Sequence, residues 1–377
     1  MRIRRSSVLA GAGAAALALT GLTAAGPALA APHPASSYLG PFTHTKKISS
    51  TIPSNGDLNP YGVAVVDQSM GKLRRGSVLV SNFNNSDNQQ GTGSTIVQIS
   101  PGGVRTLFAQ ISSRGLPGIC PGGIGLTTAL VEIHDWVIVG SLPSANGQAT
   151  TARAGCLLVL DSDGRVREVI AGRGINGPWD STAFVTGWRA QLFVANVLNG
   201  TVPANGNVIN RGTVMRYSFR FFPQPGPLPR LTGFAVVGSG FAQKTDPNAF
   251  VIGPTGLGIG FDGSLYVADT VNNRITRISN ALTRPGSGGT GTVVTSGGLL
   301  NGPLGLTIAP NGNILTVNGG DGNIVETTPR GAQVAFRGLD SAGSPPGAGA
   351  LFGLAIVPGG RGVYYVDDNQ NSLRVLF

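Results

Sequence analysis

Side chains able to do chemistry are scarce in this 377-residue chain, and their types narrow the options at once. It holds three histidines (His33, His44 and His134) and 17 acidic residues. His33 falls in the expected loose N-terminal tail, and zinc sites commonly take two or three histidines, so a multi-histidine zinc centre is not expected here. No nucleophile elbow, phosphate loop or Cys–His pair is evident, and the glycine-rich stretches read as turns. What recurs is a small polar or acidic residue at the end of a short apolar run: Asn82, Ser141, Asn196, Asp269, Asn318 and Asp368. If those runs are equivalent strands, the six residues form a ring on one face and are the candidate binding residues. Asp269 and Asp368, with Asn318 between them, would be its strongest charges. Carboxylate and amide oxygens suit a hard cation, Ca²⁺ or another divalent ion, which makes Asp269 and Asp368 the candidate metal ligands. The competing reading is local, since Asn or Asp at a strand end often accepts turn amides.

The elements that would carry the ring follow from internal repetition. The clearest unit starts at Gly253-Pro254-Thr255-Gly256-Leu257, turns at Asp262-Gly263, continues with Leu265-Tyr266-Val267-Ala268-Asp269 and then Asn273-Arg274-Ile275, and closes on 292–295. Short alternating or apolar runs bounded by Gly, Asn, Asp and Ser are strand and turn signals. The start recurs as Pro60-Tyr61-Gly62, Pro121-Gly122-Gly123 and Pro303-Leu304-Gly305, and in degenerate form as Pro178-Trp179-Asp180 and Leu351-Phe352-Gly353. Six such units predict an all-β fold, a six-bladed β-propeller with four-stranded antiparallel blades. The sixth unit ends at Phe377 one strand short, so a strand near 44–49 is expected to close it from the N-terminal side and remove an open edge.

The segment Gly253-Pro254-Thr255-Gly256-Leu257, with Leu265-Tyr266-Val267-Ala268-Asp269 and Asn273-Arg274-Ile275, resembles an NHL repeat; 301–328 and 351–376 are looser copies. The resemblance covers 60–377 and implies the propeller, a fold that hosts protein-binding modules, sensor ectodomains, lyases and lactonases. Lactonases of the senescence-marker type hold a divalent metal near the axis, using a Glu at an inner-strand start with Asn and Asp ligands. Here those starts hold Gly or Asp180, a departure that speaks against the same chemistry.

Residues 1–30 read as a signal peptide: Arg2, Arg4 and Arg5, an uncharged apolar stretch, then Pro27-Ala28-Leu29-Ala30. The Arg4-Arg5 pair fits either a Sec or a Tat signal. The expected organisation is a flexible leader over 31–40 and the propeller over 41–377, in an extracellular protein with no stable membrane insertion after cleavage. Export permits a Cys120–Cys156 disulfide, two free thiols being the other reading. Without Arg2, Arg4 and Arg5 the chain has 24 basic and 17 acidic side chains, a net charge of +7. No basic stripe with interleaved aromatics is present, so nucleic acid is not an expected partner. Long polar connections at 83–93, 142–154 and 197–211 fall on the ring face, where loops on a rigid scaffold usually bind. The functional expectation is a secreted, monomeric, non-catalytic scaffold that recognises a protein, glycan or cell-wall component through this loop-rich face. The alternative is a metal-assisted hydrolase or lyase of the lactonase-like propeller type.

Overall fold

The computed structural model describes residues 37–246 and 249–377; the expected signal peptide lies outside them. Six antiparallel sheets follow one another along the chain, five with four strands and one, blade three, with five. The inner strands are Leu58–Val65, Leu126–Ile133, Pro178–Thr186, Pro254–Ile259, Pro303–Ile308 and Leu351–Ile356. Each packs against the next, and the last packs against the first, so the blades close into a ring. Second strands such as Val78–Asn84 and Leu265–Asp269 are buried along their whole length. They lie between two neighbouring blades and therefore read as continuous apolar runs. The outer strand Gln333–Gly338 alternates half-buried and exposed residues, as a strand with one wet face must.

The repeated start triplet has a steric purpose. Every inner strand slips register there, with extra residues opposite its partner between Pro60 and Val63, Pro254 and Leu257, or Leu351 and Leu354. This bulge pushes the third residue of the triplet toward the next blade. A Cβ at Gly256, Gly305 or Gly353 would run into the carbonyl oxygen of Leu304, Phe352 or Tyr61, the middle triplet residue of the following blade. Gly62 meets the carbonyl of Thr127 in the same way. In blade two Thr128 takes the position and its hydroxyl donates to the carbonyl of Trp179. In blade three Asp180 takes it and accepts the N–H of Leu257 at 3.0 Å.

One expectation is corrected here. The inner strand of blade two starts at Leu126, which pairs with Ser141, and not at Pro121-Gly122-Gly123. Those residues belong to the preceding loop, where Gly123 turns back on the carbonyl of Cys120. The outer strand of blade three is the longest, running Arg230–Asp246, and folds back on Phe250–Ile252.

The ring closes as anticipated: Thr45–Ser50 pairs antiparallel with Ser372–Leu376 and supplies the fourth strand of blade six. The leader differs from its expected looseness in its described part. Glu326 of blade five accepts Ser37 Oγ at 2.6 Å and the N–H groups of Tyr38 and Leu39 at 2.7 and 2.8 Å. Asn313 Nδ2 donates to the same carboxylate at 2.6 Å, and Leu39 is fully buried. Burial alone would raise the Glu326 pKa; these donors outweigh it and hold it below the usual value.

Two outcomes are expected. Gly305→Ala should destabilise the propeller by roughly 2–4 kcal/mol in denaturant unfolding, because backbone on both sides must move. Glu326→Gln should cost about 2 kcal/mol at pH 7. A depressed carboxylate pKa stabilises above the unfolded value and stops doing so as pH falls through the folded value. The gap between wild type and Glu326→Gln should therefore close in acid, below the ordinary glutamate pKa, in thermal melts run against pH.

Candidate functional site

The six ring positions are occupied as follows. Asn82, Ser141, Asn196, Asp269 and Asn318 each pair with the first residue of an inner-strand triplet, and all are fully buried; the last four end their strands, whereas that of Asn82 runs on to Asn84. In blade six that position belongs to Asp367, paired with Leu351, and not to Asp368, which begins the following turn. Two adjacent acids made the one-residue slip invisible in sequence.

These side chains tie down turns. Asn82 Nδ2 donates to the carbonyl of Thr51 and to Thr95 Oγ1, both at 3.1 Å. Ser141 Oγ links Gly123 O and Gly125 N. Asn196 Oδ1 accepts the N–H of Asn176, and Asn318 Nδ2 donates to Leu299 O. Asp269 is ion-paired with Arg274 at 2.7 Å and accepts Asn272 Nδ2 at 2.9 Å. Asp367 accepts the N–H of Gln370 and faces Arg374 Nε at 3.8 Å. Burial and the neighbouring charge of Asp340 raise its pKa to about 6; burial and Asp367 raise that of Asp368 to about 7.

The ring is only partly engaged: Asp269 Oδ2 has a guanidinium partner, while Asn82 Oδ1, Asp269 Oδ1, Asn318 Oδ1 and Asp367 Oδ2 are buried without a hydrogen-bond partner among the described residues. Asp368 lies beside Tyr61, whose phenol pKa is pushed up by burial and by that carboxylate. Among the described residues no group of three or more His, Cys, Asp or Glu could hold a metal. The axial position itself is filled. Tyr61 stacks on Phe352 at 4.0 Å and on Phe83 at 4.5 Å, Phe83 meets Phe250 edge-on at 5.4 Å, and Trp179 and Leu304 complete the cluster. Tyr61, Trp179, Leu304 and Phe352 are middle triplet residues, so the same bulge that seats the glycines aims these side chains at the axis. Leu142 and Leu198, from the long loops of blades two and three, lie over them.

Beneath this plug the axis opens toward the opposite face. A channel of about 500 Å³ runs along the inner strands. Its inner end holds Thr128, Asp180, Gly305 and Gly353; its walls include Leu130, Leu257, Leu306 and Leu354; Asp67, Glu132 and Val185 stand at the mouth. Burial pushes the Asp180 pKa up to about 8, against the N–H bonds of Leu257 and Ser181. Burial likewise raises Glu132 to about 7, countered by the N–H groups of Asp135 and Asp67 and reinforced by their charges. Two carboxyl groups that titrate near neutrality in one channel can donate or take a proton at physiological pH, a property ordinary carboxylates lack. Sequence reading marked Asp180 as a degenerate start but missed its role. The available signal was an acid at a position otherwise held by Gly or Thr.

A second cavity, about 490 Å³, lies on the loop face. The three long loops meet there, contributing Asn88, Gln89, Asn146, Gln148 and Asn205. The Cys120–Cys156 disulfide is present and joins the segment before blade two to the third strand of that blade. No helix among the described residues is long and apolar enough to cross a membrane.

The six-bladed architecture is shared with solved structures of other proteins. A structure given as an oxidoreductase (glucose dehydrogenase) from Thermus thermophilus superposes with a TM-score of 0.54 at 14% identity, covering 89% of this chain and 99% of the other. A gluconolactonase from Xanthomonas campestris gives 0.52 at 12%, covering 88% of each chain. A streptogramin B lyase gives 0.50 at 15%, covering 89% and 97%. At such identities the likeness is one of fold. No family model and no curated protein matches the sequence.

A carboxyl whose folded pKa is raised stabilises below its unfolded value and loses that contribution as pH rises through the folded one. Stability should thus decline between about pH 4 and about pH 8 on account of Asp180. Asp180→Asn should remove that component and raise the melting temperature by several degrees at about pH 9, with little difference at about pH 4.

Proposed function

We propose that this chain is an exported propeller enzyme, a hydrolase or lyase acting on a small organic molecule in its central channel, with Asp180 as the acid–base group. The observation that carries the reading is the Asp180 carboxyl at the inner end of a solvent-open channel of mixed polar and apolar lining, its pKa pushed up to about 8 by burial. Such a group is protonated at neutral pH, as a general acid needs to be, and lies close enough to neutrality to return as a base. Glu132 stands nearer the mouth with a pKa of about 7 and is suited to relay the proton to solvent. Support also comes from the neighbours in fold, a gluconolactonase and a streptogramin B lyase, both enzymes. No step is routed through a metal; among the described residues no group of three or more His, Cys, Asp or Glu could hold one.

A second reading, a scaffold that recognises a glycan or cell-wall component through the loop face, is favoured by one observation: loops of three blades converge on a cleft lined by amide side chains. Export itself is supported by the disulfide and by the 1–30 sequence pattern.

A panel of small lactones, esters and elimination substrates should reveal turnover that falls at least about 100-fold in Asp180→Asn and less in Glu132→Gln. Activity in wild type that Asp180→Asn leaves intact would reject the channel as the reacting site. Trimming 85–90 and 144–151 should spare turnover under this reading and abolish wall binding under the second.

A further inference from the structure

We infer that the channel is built for a ligand with a cationic amine head and an apolar body, with Asp180 as its counter-ion. The inference rests on the reading of the channel as the functional site and names the chemical class that fits it. Charge comes first. The chain has 27 basic against 17 acidic residues, yet the titratable side chains lining the channel are Asp67, Glu132 and Asp180, with no Lys, Arg or His among them. A lining that can only become negative, in a low-dielectric funnel, favours a cation over an anion once it ionises.

Compensation comes second. Asp269 is paired with Arg274, and Glu326 collects Ser37, Asn313 and two backbone N–H groups. Asp180 has the N–H groups of Leu257 and Ser181 and no basic side chain. It stands at the closed end of the channel, where only a ligand can bring a positive charge. Shape comes third. Half-buried Val63, Val65, Val131 and Ile356 give the channel apolar surface below the carboxyl, and the blade-three hairpin carries exposed Val185 and Trp188 at its outer end. A bare metal ion is poorly served by one deep carboxylate among apolar side chains, because hard cations want about six or more oxygens. An anionic ligand would meet three carboxylates.

Binding such a cation expels the proton from Asp180. Affinity should climb about tenfold per pH unit up to about pH 8 and then level off, with one proton released per ligand. A bound cation would also turn Asp180 from acid to base, which places base-assisted chemistry, rather than leaving-group protonation, on a cationic substrate.

The test is calorimetric titration of the full chain with n-hexylammonium and with its neutral counterpart hexan-1-ol at about pH 6 and about pH 9, where an alkylammonium stays charged as lysine does. Wild type, Asp180→Asn and the channel-filling Thr307→Trp are compared, with melting curves to confirm folding. The expected result is tighter binding of the ammonium at about pH 9 by at least tenfold, loss of roughly 100-fold on going to about pH 6, no preference in Asp180→Asn, and no binding in Thr307→Trp. If both probes bind alike, Asp180→Asn changes nothing and Thr307→Trp abolishes binding, the cationic class is overturned while the channel reading stands. If Thr307→Trp leaves binding untouched, the probes sit elsewhere and both readings fall. Absence of ammonium binding to wild type at millimolar concentration also overturns the inference.

Discussion

The propeller depends on how closely its inner strands approach one another. At each blade boundary the third residue of the start triplet lies against the middle residue of the next triplet. For Gly62, Gly256, Gly305 and Gly353 the contact is Cα against carbonyl oxygen, with no room for a Cβ. The glycines are not there for a left-handed backbone; none of the four has positive φ. Thr128 and Asp180 replace the steric fit with a hydrogen bond to the following blade. Six adjacent approaches fix the radius of the ring, and that radius decides how much space remains on the axis.

The same bulge distributes side chains along the axis. Four of the six middle triplet residues are large, and at this radius Tyr61, Trp179, Leu304 and Phe352 suffice to seal one end. Third residues are small, so the axis beneath them stays open. Polar chemistry is sorted accordingly. Where the second strands end, acids and amides are buried and tie down turns, with one oxygen each of Asn82, Asp269, Asn318 and Asp367 left without a hydrogen bond. Along the open channel a carboxyl remains without a basic neighbour. Phe83, from the second strand of blade one, and Leu142 and Leu198, from the long loops of blades two and three, add to the seal, and the loops expose their amides above it.

The architecture was legible in sequence because its determinants are local. Triplets, strand ends and turn residues repeat within each unit, and the missing strand of blade six called for one from the N-terminal side. What escaped had distant causes. The start of blade two was misplaced because Pro121-Gly122-Gly123 mimics the triplet, while the true start, Leu126-Thr127-Thr128, lacks both proline and glycine. The docking of Ser37–Leu39 on Glu326 spans nearly 290 residues and leaves no local pattern. Asp180 was visible as an exception, but its direction follows from a bulge that spacing does not reveal. The Asp367–Asp368 exchange shows the limit of run-end reasoning where two candidates are neighbours.

Closing blade six with a strand from the other end of the propeller also sets a timetable. The strand Thr45–Ser50 leaves the ribosome well before its partner Ser372–Leu376; Thr45 and Arg374 are 329 residues apart. At roughly 5–20 residues per second, tens of seconds separate the two. Throughout that interval the sixth blade lacks its final two partners, and the inner strands have no closed circle to press against. Five blades can form hairpin by hairpin, but cooperative locking waits for Ser372–Leu376. A chain that lacks Ser372–Leu376 leaves Thr45–Ser50 and Val363–Asp367 each without that partner, so one strand bears both the latch of the ring and the covering of two edges.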